Sequence, residues 1–276
     1  MATGSTHPGT ADRSSIASSD TSTMSQLISH PAILFIALLV LLTSSTAIGA
    51  LVLRRIKPIP ADARDDFNIV QGATLTLLAL LIGFTLSMAV GRYDQRKNLE
   101  EGEANAIGTE YLRADLIEGP DTDKVKALLV RYLDQRLLYY RTRDHDHLDA
   151  IEAVTSQVED EMWKIVRGVA RDKPNPITSL VVAGMNDVIN SQGYAEAAWL
   201  NRIPVSAWSL MLVIAFFSTL MQGYGTRTET SRAVLFILPM TVSLSLALIS
   251  DIDSPRGGLI RVAPQNLMSL ATSLHR

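Results

Sequence analysis

The chain has 276 residues, of which 47% are hydrophobic and 19% charged, against the roughly 25% charge of an ordinary soluble domain, and its mean hydropathy is +0.17. A formal net charge of -3 excludes a globally basic chain that seeks nucleic acid. The absence of cysteine excludes disulfides, thiolate catalysis and thiolate metal centres, and leaves five histidines as nitrogen ligands.

Residues 1–30 are rich in Ser, Thr and Gly and hold too few apolar side chains to repay the entropy of folding, so a disordered tail is expected. The segment lacks the basic start and short apolar run of a signal peptide. The first membrane span reads Pro31 to Leu53 and is closed by Arg54, Arg55 and Lys57. Its central Thr43, Ser44, Ser45 and Thr46 are tolerable in lipid because hydroxyls can bond to the preceding turn of backbone. After a linker with Pro58 and Pro60, an uncharged stretch runs from Asn68 to Gly91 inside a proline-free segment from Asp66 to Glu118. At ~1.5 Å per residue that stretch is roughly 36 Å of helix, enough to cross a hydrocarbon core of ~30 Å. One helix is therefore expected to leave the membrane and continue, and residues 31–91 form a first hairpin.

Residues 92–202 are polar and helical in pattern. Gly119 and Pro120 end the long helix, and Thr122 is the expected cap of the next. That helix has an apolar stripe at Val125, Leu128, Leu129, Tyr132, Leu133, Leu137 and Tyr140. A helix from Leu148 to Ala170 repeats the pattern at Ile151, Val154, Val158, Met162, Ile165 and Val169, and another covers Ile177 to Ile189. Strand alternation is missing throughout, so a helical extramembrane domain is predicted. The third span, Ile203 to Gly225, is uncharged between Arg202 and Arg227, and the fourth runs from Ala233 to Ser250 through Pro239. Residues 203–250 make a second hairpin and 251–276 a C-terminal tail. The expected fold is all-α: an integral membrane protein with four transmembrane helices in two hairpins and a helical domain between spans two and three.

At ~100° per residue the second span divides into two faces. Gly72, Thr76, Ala79, Gly83 and Ser87 form a small-residue face suited to close helix packing. Gln71, Thr74, Leu78, Leu81, Thr85 and Met88 form the opposite face, which continues onto Arg92 and Arg96. Arranged around an axis by several copies, that second face would line a mostly apolar passage with guanidinium groups at its mouth. The alternative is that Arg92 and Arg96 anchor the helix among lipid headgroups.

Asp251 and Asp253 give a candidate cation site, although two carboxylates are few for a dedicated Ca2+ site. The run Asp144 to His147 reads as a solvated loop and cap. Glu100, Glu101, Glu103 and Glu110, alternating with Arg96, Lys97 and Arg113, read as a solvated or domain-packing face, with Ala106, Tyr111 and Leu112 turned to the other helices. Phosphate loops and hydrolase or metalloprotease motifs are missing, so no catalytic residue, metal or cofactor is assigned. The uncharged spans argue against a proton-coupled pump.

Two blocks, GFTLSMAVGRYDQRKNLEEGEANAIGTEYLRADL from Gly83 to Leu116 and DIDSPRGGLIRVAPQNL from Asp251 to Leu267, resemble a bacterial family of unknown function with a bestrophin-like domain. The layout and the string Arg92, Tyr93, Asp94 and Arg96 also resemble the true bestrophins, which are pentameric anion channels. The resemblance implies a homo-oligomer in the bacterial inner membrane with the second span lining a pore for small inorganic anions. It also implies that both termini and the helical domain are cytoplasmic. Basic residues beside the spans do not decide the orientation themselves: Arg54, Arg55, Lys57, Arg64, Arg227 and Arg232 on one side balance Arg92, Arg96, Lys97, Arg202, Arg256 and Arg261 on the other. Two readings remain open, an anion channel and a non-conducting scaffold or sensor whose helical domain binds a partner. Besides the lipid bilayer and further copies of the chain, small anions are the expected partners, and nucleic acid is not.

Overall fold

A computed structural model describes residues 31–226 and 232–275. The expected tail, residues 1–30, and Arg227 lie outside them, as does the side chain of Arg232. Among the described residues all regular structure is helical: α1 (Pro31–Ile56), α2 (Arg64–Arg113), α3 (Asp121–Arg141), α4 (His145–Asp172), α5 (Pro176–Leu200), α6 (Val205–Gly225), α7 (Arg232–Asp253) and α8 (Gln265–Leu274). Four helical stretches among the described residues are long and apolar enough to cross a membrane: Pro31–Ile56, Arg64–Leu116, Pro176–Gly225 (interrupted at residues 201–204) and Ala233–Asp253.

The breaks between helices have local causes. A 3₁₀ turn, Ala114–Leu116, closes α2, and the chain reverses at Gly119, whose φ of 98° suits only a residue without a Cβ. Thr122 does not cap α3, which already begins at Asp121; its hydroxyl instead donates to the Ile117 carbonyl at 2.5 Å. Asn175 caps α5 in a reciprocal box with Thr178, and Pro176 fills the first helical position. This helix runs unbroken through Gly193, longer than the periodicity to Ile189 indicated. Pro239 is accommodated within α7, as a membrane helix permits.

The chain falls into two compact units. One takes its described residues up to Ile82 together with Leu210–Asp251. Within it α1 and α6 meet at backbone distance. A Cβ added at Gly49 would lie 2.2 Å from the Leu220 carbonyl oxygen, and one at Gly223 only 2.0 Å from that of Thr46. A π turn at Gly49–Leu53 sits at this crossing, and Ser45 donates across it to the Phe216 carbonyl at 2.9 Å. Thr46 bonds back to the Leu42 carbonyl, as expected of a hydroxyl in a span. Contact between small residues substitutes here for hydrophobic drive, which lipid does not supply.

The other unit takes Gly83–Ser209 and the described residues from Ile252 onward. Its core joins Val125, Leu129, Tyr132 and Leu133 of α3, Val158 and Met162 of α4, and Val181, Met185 and Val188 of α5 to Ile107 of α2. Both predicted stripes supply this core, with Leu128, Val154, Ile165 and Val169 at its margin. Leu112, expected to face inward with Ala106 and Tyr111, is 69% exposed. Residues beyond 251, expected as a tail, contribute Val262, Leu267 and Ala271 to the same core. Glu100 secures them by accepting from Asn266 Nδ2 at 2.7 Å and from the Leu267 amide at 3.0 Å at the start of α8.

Candidate functional site

Seen in one chain, the second span has a covered half and a bare half. Every member of the small-residue set, Gly72, Thr76, Ala79, Gly83 and Ser87, is exposed, and a Cβ built on Gly72, Gly83 or Gly91 would meet nothing within 4 Å. Leu80 and Phe84 beside this set are 52% and 63% exposed, and Met88, a member of the opposite set, is exposed as well at 45%. The opposite set divides: Gln71, Thr74, Leu81 and Arg92 are half-buried, and Leu78, Thr85 and Arg96 are buried. A side chain buried within its own chain offers no surface to an axis between chains, so these last three do not fit the expected lining.

The arginines that follow the span are held by the last two residues of α7, Ile252 and Asp253. Arg92 Nη1 reaches Asp253 Oδ1 at 3.4 Å, and the other oxygen of Asp253 accepts from the Ile203 amide at 3.0 Å. Arg96 donates through Nη2 to the Ile252 carbonyl at 2.8 Å, and its Nε and Nη1 are buried without a hydrogen-bond partner. Both arginines thus have partners within the chain. Asp253, offered by the sequence as a cation ligand, has both oxygens committed to protein donors, and Asp251 is buried at 5% exposure. In the Asp144 to His147 run, His147 Nδ1 lies 2.8 Å from Asp144 Oδ2 on the surface; the side chains of His145 and Asp146 lie outside the described residues.

Of the two readings of the acidic face of α2 beyond the span, solvated or domain-packing, burial favours the second. Of Glu100, Glu101, Glu103 and Glu110, Glu101 is exposed and the other three are buried. Glu103 accepts a short hydrogen bond from Arg136 Nε and another, 3.1 Å long, from the Tyr140 hydroxyl, while Arg136 Nη1 donates to Glu196 at 2.9 Å. Both side chains of the Arg136–Glu103 pair are wholly buried. Burial works against the charged form of Arg136, but the charge and hydrogen bond of Glu103, with Tyr132 and Glu196, outweigh it and push the guanidinium further up. Burial pushes the Tyr132 and Tyr140 hydroxyls up, which keeps both protonated, and pushes the Glu159 carboxyl to about 7.

Arg256, in the PRGG turn, lies against the rings of Tyr139 and Trp199, its guanidinium carbon 4.4 Å from each ring centre, and donates to the Tyr139 and Thr142 carbonyls at 2.9 and 3.0 Å. No spacing rule pairs residues 33, 60 or 117 positions apart, so sequence reasoning missed Arg136 and Arg256. The available signal was an arginine, Arg136, standing inside the apolar stripe of α3.

The sequence model of the bestrophin-like domain matches residues 31–267. The chain belongs to the bestrophin-like family. Solved structures of low sequence identity share its fold. A bacterial bestrophin homolog from Klebsiella pneumoniae carrying a tryptophan-to-alanine mutation matches at 14% identity and a TM-score of 0.63, covering 88% of this chain and 94% of that one. A second structure of the Klebsiella homolog matches at 14% identity and a TM-score of 0.62, over 87% and 96% of the two chains. A structure described only as a membrane protein with a glycine-to-alanine change matches at 12% identity and a TM-score of 0.60, over 89% and 94%. A search of the curated protein sequences finds no match.

Proposed function

We infer that the protein is a homo-oligomeric channel for small anions in a bacterial inner membrane, with the bare half of the second span facing its passage. The observation that carries this reading is the exposure of Thr76, Gly83 and Ser87 beside Leu80 and Phe84 on a helix whose other half is covered. A face turned only to lipid gains from large apolar side chains along its whole length, whereas this one interposes glycines and hydroxyls at helical spacing. Close packing between copies and lining of an axis are both served by that half: small residues admit a neighbouring helix, and Leu80 and Phe84 give an apolar constriction of the dewetting kind. Gln71 and Thr74 contribute at its edge, and Leu78, Thr85 and Arg96 do not.

The test is chloride efflux from liposomes reconstituted with purified, folded oligomer. Wild-type protein is expected to conduct, and Ser87→Glu, which would set a ring of carboxylates on the passage, should lower chloride flux roughly tenfold or more. Absence of flux for several anions and cations would replace this reading with that of a scaffold or sensor whose helical domain binds a partner.

Both termini and the helical domain are proposed to be cytoplasmic, on the strength of the family layout. Because the chain has no native cysteine, a cysteine at exposed Ser156 in α4 reports this directly. It should stay unlabelled by a membrane-impermeant thiol reagent in intact cells and react after lysis; labelling of intact cells would invert the topology.

A further inference from the structure

We propose that Arg96, with Arg202 and Arg92, forms a binding site for a phosphate group at the membrane boundary, supplied by a lipid headgroup or by free phosphate. Arg96 is 2% exposed, yet only Nη2 of its guanidinium has a partner, the Ile252 carbonyl; Nε and Nη1 are buried and unpaired. A permanently charged group with two unanswered donors in a closed environment costs several-fold more than a satisfied one, and an acceptor oxygen removes that cost.

The surrounding charge calls for an anion. The ionisable groups acting on Arg96 are Asp253, Arg202, Arg92 and Tyr93. That is three guanidinium groups against one carboxylate, and Asp253 is already divided between Arg92 and the Ile203 amide. Ser254, next to Asp253 in the chain, is also buried with an unpartnered hydroxyl. Planar guanidinium donors match tetrahedral oxyanions better than they match a spherical halide.

Position selects phosphate among oxyanions. Arg92 is the first charge after the uncharged stretch ending at Gly91, Arg202 is the last before the stretch beginning at Ile203, and Asp253 follows Ser250 at the end of the fourth stretch. Each therefore stands where an uncharged segment meets water, the depth of lipid phosphates. Arg202 is exposed and offers the way in.

The experiment uses the full chain, purified in a phosphate-free detergent and stripped of lipid, with thermal unfolding followed as inorganic phosphate or dihexanoyl phosphatidylglycerol is added. At least one probe is expected to raise Tm with a saturable midpoint. A shift with both probes identifies free phosphate as sufficient, and a shift with the short lipid alone identifies a headgroup. Arg96→Met should abolish the shift. Arg202→Gln, at an exposed position that leaves the fold intact, should move the midpoint about tenfold higher, the effect of losing about 1.4 kcal/mol of interaction. No shift with either probe in wild-type protein, or an unaltered midpoint in Arg202→Gln, would overturn the site. Binding is read from stability, so this outcome is independent of whether the protein conducts.

Discussion

Arg136→Met is expected to destabilise the helical domain by about 3–5 kcal/mol, the usual consequence of removing one partner from a buried ion pair. The arginine holds Glu103 and Glu196, and without it a carboxylate with 0% side-chain exposure is stranded beside the Tyr140 hydroxyl. The guanidinium also lies 4.4 Å from the centre of the Tyr139 ring, so the substitution removes a packed plate as well as a charge. The double variant Arg136→Met with Glu103→Gln should recover much of the loss, since it leaves no unpaired charge. Chemical denaturation of the detergent-solubilised protein, followed by far-UV circular dichroism, measures both. A single variant as stable as wild type would mean that the pair contributes nothing to the fold.

Gly49→Ala is expected to have an effect of similar size in the membrane-spanning unit. Its new methyl would sit 2.2 Å from the Leu220 carbonyl oxygen and 2.8 Å from the Tyr224 amide nitrogen. Both are backbone atoms of α6, which no rotamer change can move aside. Overpacking typically costs about 1–3 kcal/mol when side chains can yield, and a rigid backbone obstacle should place this case at or above the upper end. Gly83→Ala is the matched control, because a methyl there meets nothing within 4 Å in its own chain. Thermal unfolding of the two variants should separate by about 10 °C or more in favour of Gly83→Ala. If they unfold alike, close approach of α1 and α6 does not set the stability of this unit.

The contrast between those two glycines shows what could be read before the structure. Four uncharged stretches of adequate length, bounded by arginines and aspartates, sufficed for the spans, because bilayer thickness dictates the length and composition of a crossing helix. The apolar stripes of α3 and α4 were equally legible, since a helix burying one face repeats its apolar positions every three to four residues. Gly49 and Gly223 look no different from Gly83 in the sequence; only tertiary placement makes the first two obligatory and leaves the third bare. The same limit applies to charge. Glu103 and Glu101 are two residues apart with identical chemistry, and helix phase alone puts one in the core and the other in water. A helical wheel separates the second span into two faces, but it carries no information on which side chains the chain itself covers.

The attachment of residues 252–275 to the helical domain has a consequence for biosynthesis. Arg256, Val262, Leu267 and Ala271 complete a core whose other members lie mostly between Ile107 and Trp199. All of them are translated after the fourth uncharged stretch. The part of that core which these residues cover must therefore wait while the second hairpin is made and threaded into the bilayer. For a chain elongating at about 5–20 residues per second, the 50 or so residues between Trp199 and Ile252 impose a delay of several seconds. During that interval the nascent domain is a natural client for chaperones, and a ribosome that stalls within the last span leaves that core without Val262, Leu267 and Ala271.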